Sequence, residues 1–83
     1  MNKHIQLLVS EWCPTCPQAE KVWEKVADET GAELEILDVT KRPGRDIVAK
    51  LMIRTIPATV IDNRLEFLGV PEFSKAKEAL SEH

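Results

Sequence analysis

The spacing of apolar positions along this chain changes several times, and each change marks an element. Ile5 to Ser10 (Ile-Gln-Leu-Leu-Val-Ser) is a short, largely apolar run, as in a buried strand. From Ala19 onward, Ala19, Val22, Trp23, Val26 and Ala27 recur at helical spacing, the stripe of an amphipathic helix, and Gly31 supplies its stop. Leu34, Ile36 and Leu37 mark a second strand running to about Val39, and Lys41-Arg42-Pro43-Gly44 reads as a turn. A short helix follows from Arg45 to Met52, with Ile47, Val48 and Leu51 as its apolar positions. Pro57 opens a strand from Ala58 to Ile61, and Asp62-Asn63-Arg64 turns it back into Leu65 to Leu68 as a hairpin. Pro71 and Glu72 suit the first turn of a final helix whose narrow stripe is Phe73, Ala76 and Leu80.

The predicted order is β-α-β-α-β-β-α. Two parallel strands joined through a helix connect right-handedly, and the hairpin extends the same sheet. An α/β fold, with a four-stranded mixed sheet and helices on both faces, buries all of these apolar faces. No repeat, linker or low-complexity stretch interrupts the order, so residues 1–83 are expected to form one domain.

Composition narrows the function. The chain is 43% apolar and 30% charged, ordinary for a globular protein and unlike a disordered segment. A chain of this size buries roughly 60 to 65% of the surface its unfolded form exposes, so a covalent staple is not required. The apolar runs are too short for a membrane span, and the stretch after Lys3 and His4 lacks the features of a signal peptide. The expected compartment is the cytoplasm. A net charge of −3 gives no nucleic-acid footprint. Protein partners or small thiols fit better.

The only two cysteines, Cys13 and Cys16, stand between the first apolar run and the first helical stripe, in Cys13-Pro14-Thr15-Cys16. Side chains three apart on a helix are neighbours, close enough for a disulfide without large backbone movement. So small a ring stabilises a fold by only about 2 kcal/mol. In a reducing compartment such pairs are more often catalytic or metal-binding than structural. At the mouth of a helix the macrodipole and the free N–H groups favour an anion, so Cys13 is the expected attacking thiolate. Cys16, one turn in, is expected to resolve the mixed disulfide. Two other readings stand beside this one: an inert buried pair, and metal binding. A structural zinc needs a tetrahedral ligand set, for which only His4 and His83 remain, at opposite ends of the sequence. An iron–sulfur cluster shared between two chains is the other metal reading.

At these residues the chain resembles the thioredoxin and glutaredoxin superfamily, and more closely the short glutaredoxin-like thioredoxins. Three landmarks carry the resemblance, which covers nearly the whole chain: Glu11-Trp12-Cys13-Pro14-Thr15-Cys16 after the first strand, Thr55-Ile56-Pro57 before the third, and Phe67-Leu68-Gly69 closing the hairpin. It implies a minimal thioredoxin fold with sheet order β2-β1-β3-β4. It also implies a thiol–disulfide oxidoreductase that reduces protein disulfides through Cys13 and Cys16, with no cofactor beyond that redox-active pair. Pro57 is expected to be cis and to face the dithiol, with Ile56 offering backbone groups to an extended substrate. Trp12, Pro14, Thr15 and Gly69 complete the expected substrate-binding set. The expected partners are protein disulfides and a thioredoxin-reductase-type donor, met by a monomer without nucleic acid or membrane.

The chain departs from the family's pattern at several places. Leu7 stands where thioredoxins usually carry a buried aspartate, the proton acceptor for the resolving cysteine. Glutathione-using glutaredoxins commonly place an aromatic between the cysteines and a Gly-Gly pair with a polar residue after the hairpin. Here those places hold Thr15 and Gly69-Val70-Pro71. Pro17 directly follows Cys16 and removes one early helix hydrogen bond, so the first turn is expected to be distorted, with the carbonyl of Cys13 or Pro14 seeking another donor. A glutathione-coupled glutaredoxin and a metal- or iron–sulfur-binding protein are the alternatives to the protein-disulfide reductase.

Overall fold

A computed structural model describes residues 3–81, so the terminal His83 lies outside the described residues. The elements are β1 (His4–Val9), α1 (Cys16–Thr30), β2 (Glu33–Asp38), α2 (Gly44–Leu51), β3 (Ala58–Ile61), β4 (Arg64–Leu68) and α3 (Phe73–Ser81). They form one four-stranded sheet in the order β2-β1-β3-β4. β1 and β2 are parallel, while β3 runs antiparallel to both β1 and β4. This is the thioredoxin fold implied by the resemblance.

Alternation along the strands divides the core between the two faces. Ile5, Leu7 and Ile61 pack with Ala19, Trp23 and Val26 of α1 and with Ala76, Ala79 and Leu80 of α3. Leu8, Leu37, Ala58 and Val60 make the opposite cluster with Ile53, and Ile47, Val48 and Leu51 of α2 lie against it. A strand places successive side chains on opposite faces, so adjacent Leu7 and Leu8 serve different clusters. The mixed Ile-Gln-Leu-Leu-Val pattern of β1 is that of a central strand covered on both sides. Among the described residues no helix is long and apolar enough to cross a membrane.

Small differences from the sequence reading have local causes. The hairpin turn is Asp62-Asn63, both with positive φ (49° and 70°), the backbone of a type I′ turn, and Arg64 already belongs to β4. The register shifts between Thr59 and Val60, which pair with Phe67 and Leu65, so Glu66 is an extra residue in β4. Pro71 and Glu72 precede α3 rather than forming its first turn; the Glu72 carbonyl accepts the Ala76 N–H at 2.9 Å. α2 begins at Gly44, ahead of Arg45, and ends where Met52 takes a left-handed conformation.

Candidate active site

β1 delivers the chain into a loop closed by its own backbone. The Cys13 N–H donates to the Ser10 carbonyl at 3.3 Å, and the Cys16 N–H donates to the Cys13 carbonyl at 3.4 Å. The Thr15 carbonyl then accepts both the Gln18 N–H (3.1 Å) and the Ala19 N–H (3.2 Å), and α1 starts regularly at Cys16 with Thr15 as its N-cap. Pro17 therefore falls in the first turn, where an N–H has no intrahelical acceptor in any case. The donor expected to be sought by Cys13's carbonyl is the amide of Cys16 itself.

Cys13 and Cys16 are joined in a disulfide, with Cα atoms 5.4 Å apart. Their surroundings differ. Cys16 is 1% exposed, whereas Cys13 is half-buried just outside the helix. The Thr15 hydroxyl donates to the Cys13 sulfur at 3.6 Å. No acidic side chain occupies the first turn of α1, so its N-terminal partial positive charge is free to act on the neighbouring sulfur. A more open sulfur with a hydroxyl donor beside it and a closed one behind it suit attack and resolution respectively.

The other residues expected at the site fall into two places. Trp12 is 77% exposed, and Pro14 and Thr15 are exposed beside it, on the loop that carries Cys13. The Ile56–Pro57 bond is cis. Ala58 pairs with Leu8 in β1 and with Leu68 in β4, so Ile56 and Pro57 lie at the end of the sheet from which β1 enters the cysteine loop. The Gly69 N–H donates to the Pro57 carbonyl at 2.7 Å, and Gly69 adopts φ 87°, a left-handed conformation that glycine takes without strain. Trp23, by contrast, is wholly buried, as its place on the helical stripe predicts.

An open cleft of about 310 Å³ adjoins the disulfide, and Cys13, Cys16, Ser10, Glu11, Glu20 and Asp38 are among the residues lining it. Trp12, Pro14, Thr15, Ile56, Pro57 and Gly69 do not line it. The side-chain hydroxyl of Thr40 donates to Asp38 Oδ1 at 2.6 Å and its backbone N–H at 2.8 Å. These bonds, with a smaller contribution from Lys41, hold the Asp38 carboxyl below its ordinary range. Leu7 is wholly buried in the α1-side core, so the carboxylates near the sulfurs come from other elements. Sequence spacing alone does not place the Glu11 carboxylate, and the cysteine motif does not mark Glu20 or Asp38. Glu20 was findable, four residues beyond Cys16 on the same helix face; Asp38 is brought in only by the parallel pairing of Val9 with Asp38.

Among the described residues no group of three or more His, Cys, Asp or Glu side chains is disposed to hold a metal ion. Residues 3–81 match the family model described as a thioredoxin domain. A probable thioredoxin of Archaeoglobus fulgidus is 38% identical over 76 residues, covering 92% of this chain and 84% of that protein. A thioredoxin of Methanocaldococcus jannaschii is likewise 38% identical, over 80 residues, covering 94% of this chain and 87% of that protein. A solved mutant thioredoxin from Halobacterium salinarum shares the fold with a TM-score of 0.82 at 20% identity, covering 98% of this chain and 74% of that one.

Proposed function

The chain belongs to the thioredoxin family and is a thiol–disulfide oxidoreductase, and from that premise we propose how its residues divide the work and who supplies the electrons. The observation that carries the reading is the Cys13–Cys16 disulfide at the mouth of α1, with Cys13 half-buried and Cys16 1% exposed. In the reduced protein the Cys13 thiolate attacks a target disulfide and forms a mixed disulfide, releasing the target's first sulfur as a thiolate. Cys16 then attacks Cys13, the Cys13–target bond breaks, and the target leaves as a dithiol. The electron pair is carried by the cysteines themselves, with no bound cofactor.

Trp12, Pro14, Thr15, Ile56, Pro57 and Gly69 form the docking surface for the target segment. The exposed loop side chains supply contact area, and the backbone of Ile56 pairs with extended chain. The protein acts as a monomer in the cytoplasm, with residues 3–81 as one domain. Its donor is a thioredoxin-reductase-type enzyme rather than glutathione. Thr15 in place of an aromatic and Gly69-Val70-Pro71 in place of a Gly-Gly element leave little to hold the tripeptide.

The test is insulin-disulfide reduction coupled either to a thioredoxin reductase or to glutathione with glutathione reductase. Faster turnover with the reductase is expected; turnover sustained by glutathione while every reductase fails identifies a glutaredoxin. Cys16→Ser then holds a target as a mixed disulfide on Cys13, which identifies the physiological substrates.

A further inference from the structure

The reaction requires a proton to leave Cys16. Its thiol must become a thiolate before it attacks Cys13, and a residue that is 1% exposed has little direct access to water. Burial in apolar surroundings also disfavours the charged form. Leu7 offers no acceptor from β1. The cleft that Cys16 helps to line carries three carboxylates, Glu11 from the loop, Glu20 from α1 and Asp38 from the end of β2.

These three are not equivalent. Asp38 has one oxygen held by two donors from Thr40, an arrangement that favours its ionised form and makes it a weak base. Glu11 is exposed and lies ahead of Cys13 in the loop. Glu20 is half-buried and sits four residues beyond Cys16 on α1, hence on the same face. A helical side chain leans toward the N-terminus and covers the turn before its own Cα, which for Glu20 is the turn that begins with Cys16. The cleft between them has room for a bridging water.

We propose that Glu20 is the general base for the resolving step, taking the Cys16 proton directly or through one water in the cleft. The proposal rests on the thiol–disulfide oxidoreductase reading. In the balanced step the Cys16 S–H proton passes to the Glu20 carboxylate and the new thiolate forms the Cys16–Cys13 bond. The Cys13–target bond breaks, and the departing target thiolate takes up a proton, from protonated Glu20 or from water. The cysteines lose two electrons and the target disulfide gains them.

The two chemical steps are separable by stopped-flow reaction of the reduced full chain with dithiobis-nitrobenzoate. The first nitrothiobenzoate released reports attack by Cys13, and the second reports attack by Cys16 on the mixed disulfide. In Glu20→Gln the second phase is expected to slow on the order of tenfold to a hundredfold at pH 7, because the thiolate then comes only from the small fraction that ionises unaided. The deficit should close as pH rises, while the first phase stays unchanged. Glu20→Ala should behave alike, and Glu20→Asp should recover part of the rate. Glu24→Gln, the same charge change one turn along the exposed face of α1, separates loss of the base from loss of net charge. An unaltered second phase in both Glu20→Gln and Glu20→Ala overturns the proposal, as does an equal slowing in Glu24→Gln or a larger one in Asp38→Asn. If the wild-type chain releases no second nitrothiobenzoate at any pH, the oxidoreductase reading itself fails.

Discussion

The indole N–H of Trp23 donates to the hydroxyl of Thr59 at 2.9 Å, and both residues are wholly buried. Thr59 stands opposite Leu7, so this bond pins α1 to the middle of the sheet on the side that carries the cysteine loop. Phe67 packs against the same indole in an edge-to-face arrangement, with ring centroids 5.8 Å apart. A polar pair in an apolar cluster specifies one seating of the helix because either partner alone is left unsatisfied.

Thr59→Val is therefore expected to lower stability by about 1–3 kcal/mol, the cost of a buried donor without an acceptor. Trp23→Phe should cost more, since it removes ring volume and leaves the hydroxyl unpaired. The double variant should lose less than the sum of the two, because both polar groups are then gone. Urea unfolding followed by far-ultraviolet circular dichroism measures all three, and strict additivity would show that the bond contributes nothing.

Limited iodoacetamide on the reduced protein, followed by peptide mapping, is expected to label Cys13 well ahead of Cys16, which is 1% exposed. Thr15→Val removes the hydroxyl that donates to the Cys13 sulfur and should slow that labelling by roughly threefold, the low end of a net hydrogen-bond contribution. Preferential labelling of Cys16 would reverse the assigned roles.

Much of this architecture was legible in the chain. The helical stripe through Ala19, Trp23 and Val26 and the stop at Gly31 locate α1, and the strand before it forces the cysteines to the helix mouth. What escaped reading depends on contacts between distant segments. Thr59 lies in a β-forming run and gives no sign there that an indole needs its hydroxyl. Ile36 reads as a core position yet is 39% exposed, since β2 is an edge strand and α1 does not cover it fully. Glu20 shares a helix face with Cys16, a spacing visible in the chain, but the loop and the end of β2 that make a cleft of that face come from distant segments. Gly44 reads as a turn glycine, and its contact with β2 exists only once α2 is docked.

The Thr40 bonds to Asp38 predict a pH dependence of stability. The Asp38 carboxyl lies below its ordinary unfolded value, so it contributes stability above that value and loses it as pH falls through the lower folded one. Thr40→Val removes the hydroxyl donor and keeps the backbone one. Its stability should fall below wild type at neutral pH by a small amount, because solvent screens the group, and the deficit should narrow below about pH 4. Thermal unfolding from pH 2 to pH 7 measures it; a deficit that widens in acid would contradict the sign.

Gly44 is expected to be the least replaceable glycine, for want of space. A Cβ built there would lie 2.5 Å from the Asp38 carbonyl oxygen, 3.0 Å from its carbon and 3.3 Å from Leu37 Cβ. The first two are backbone atoms, so no side-chain rotation relieves the clash. Gly44→Ala must push α2 away from the end of β2. Gly44 is the first residue of α2, where alanine gains little over glycine, so overpacking of about 1–3 kcal/mol is expected to make the net effect destabilising. In urea unfolding of the oxidised protein the midpoint should drop with the slope unchanged. A midpoint equal to or above wild type would mean that α2 yields without cost, and Gly44 would then play no part in holding the end of β2 against the site.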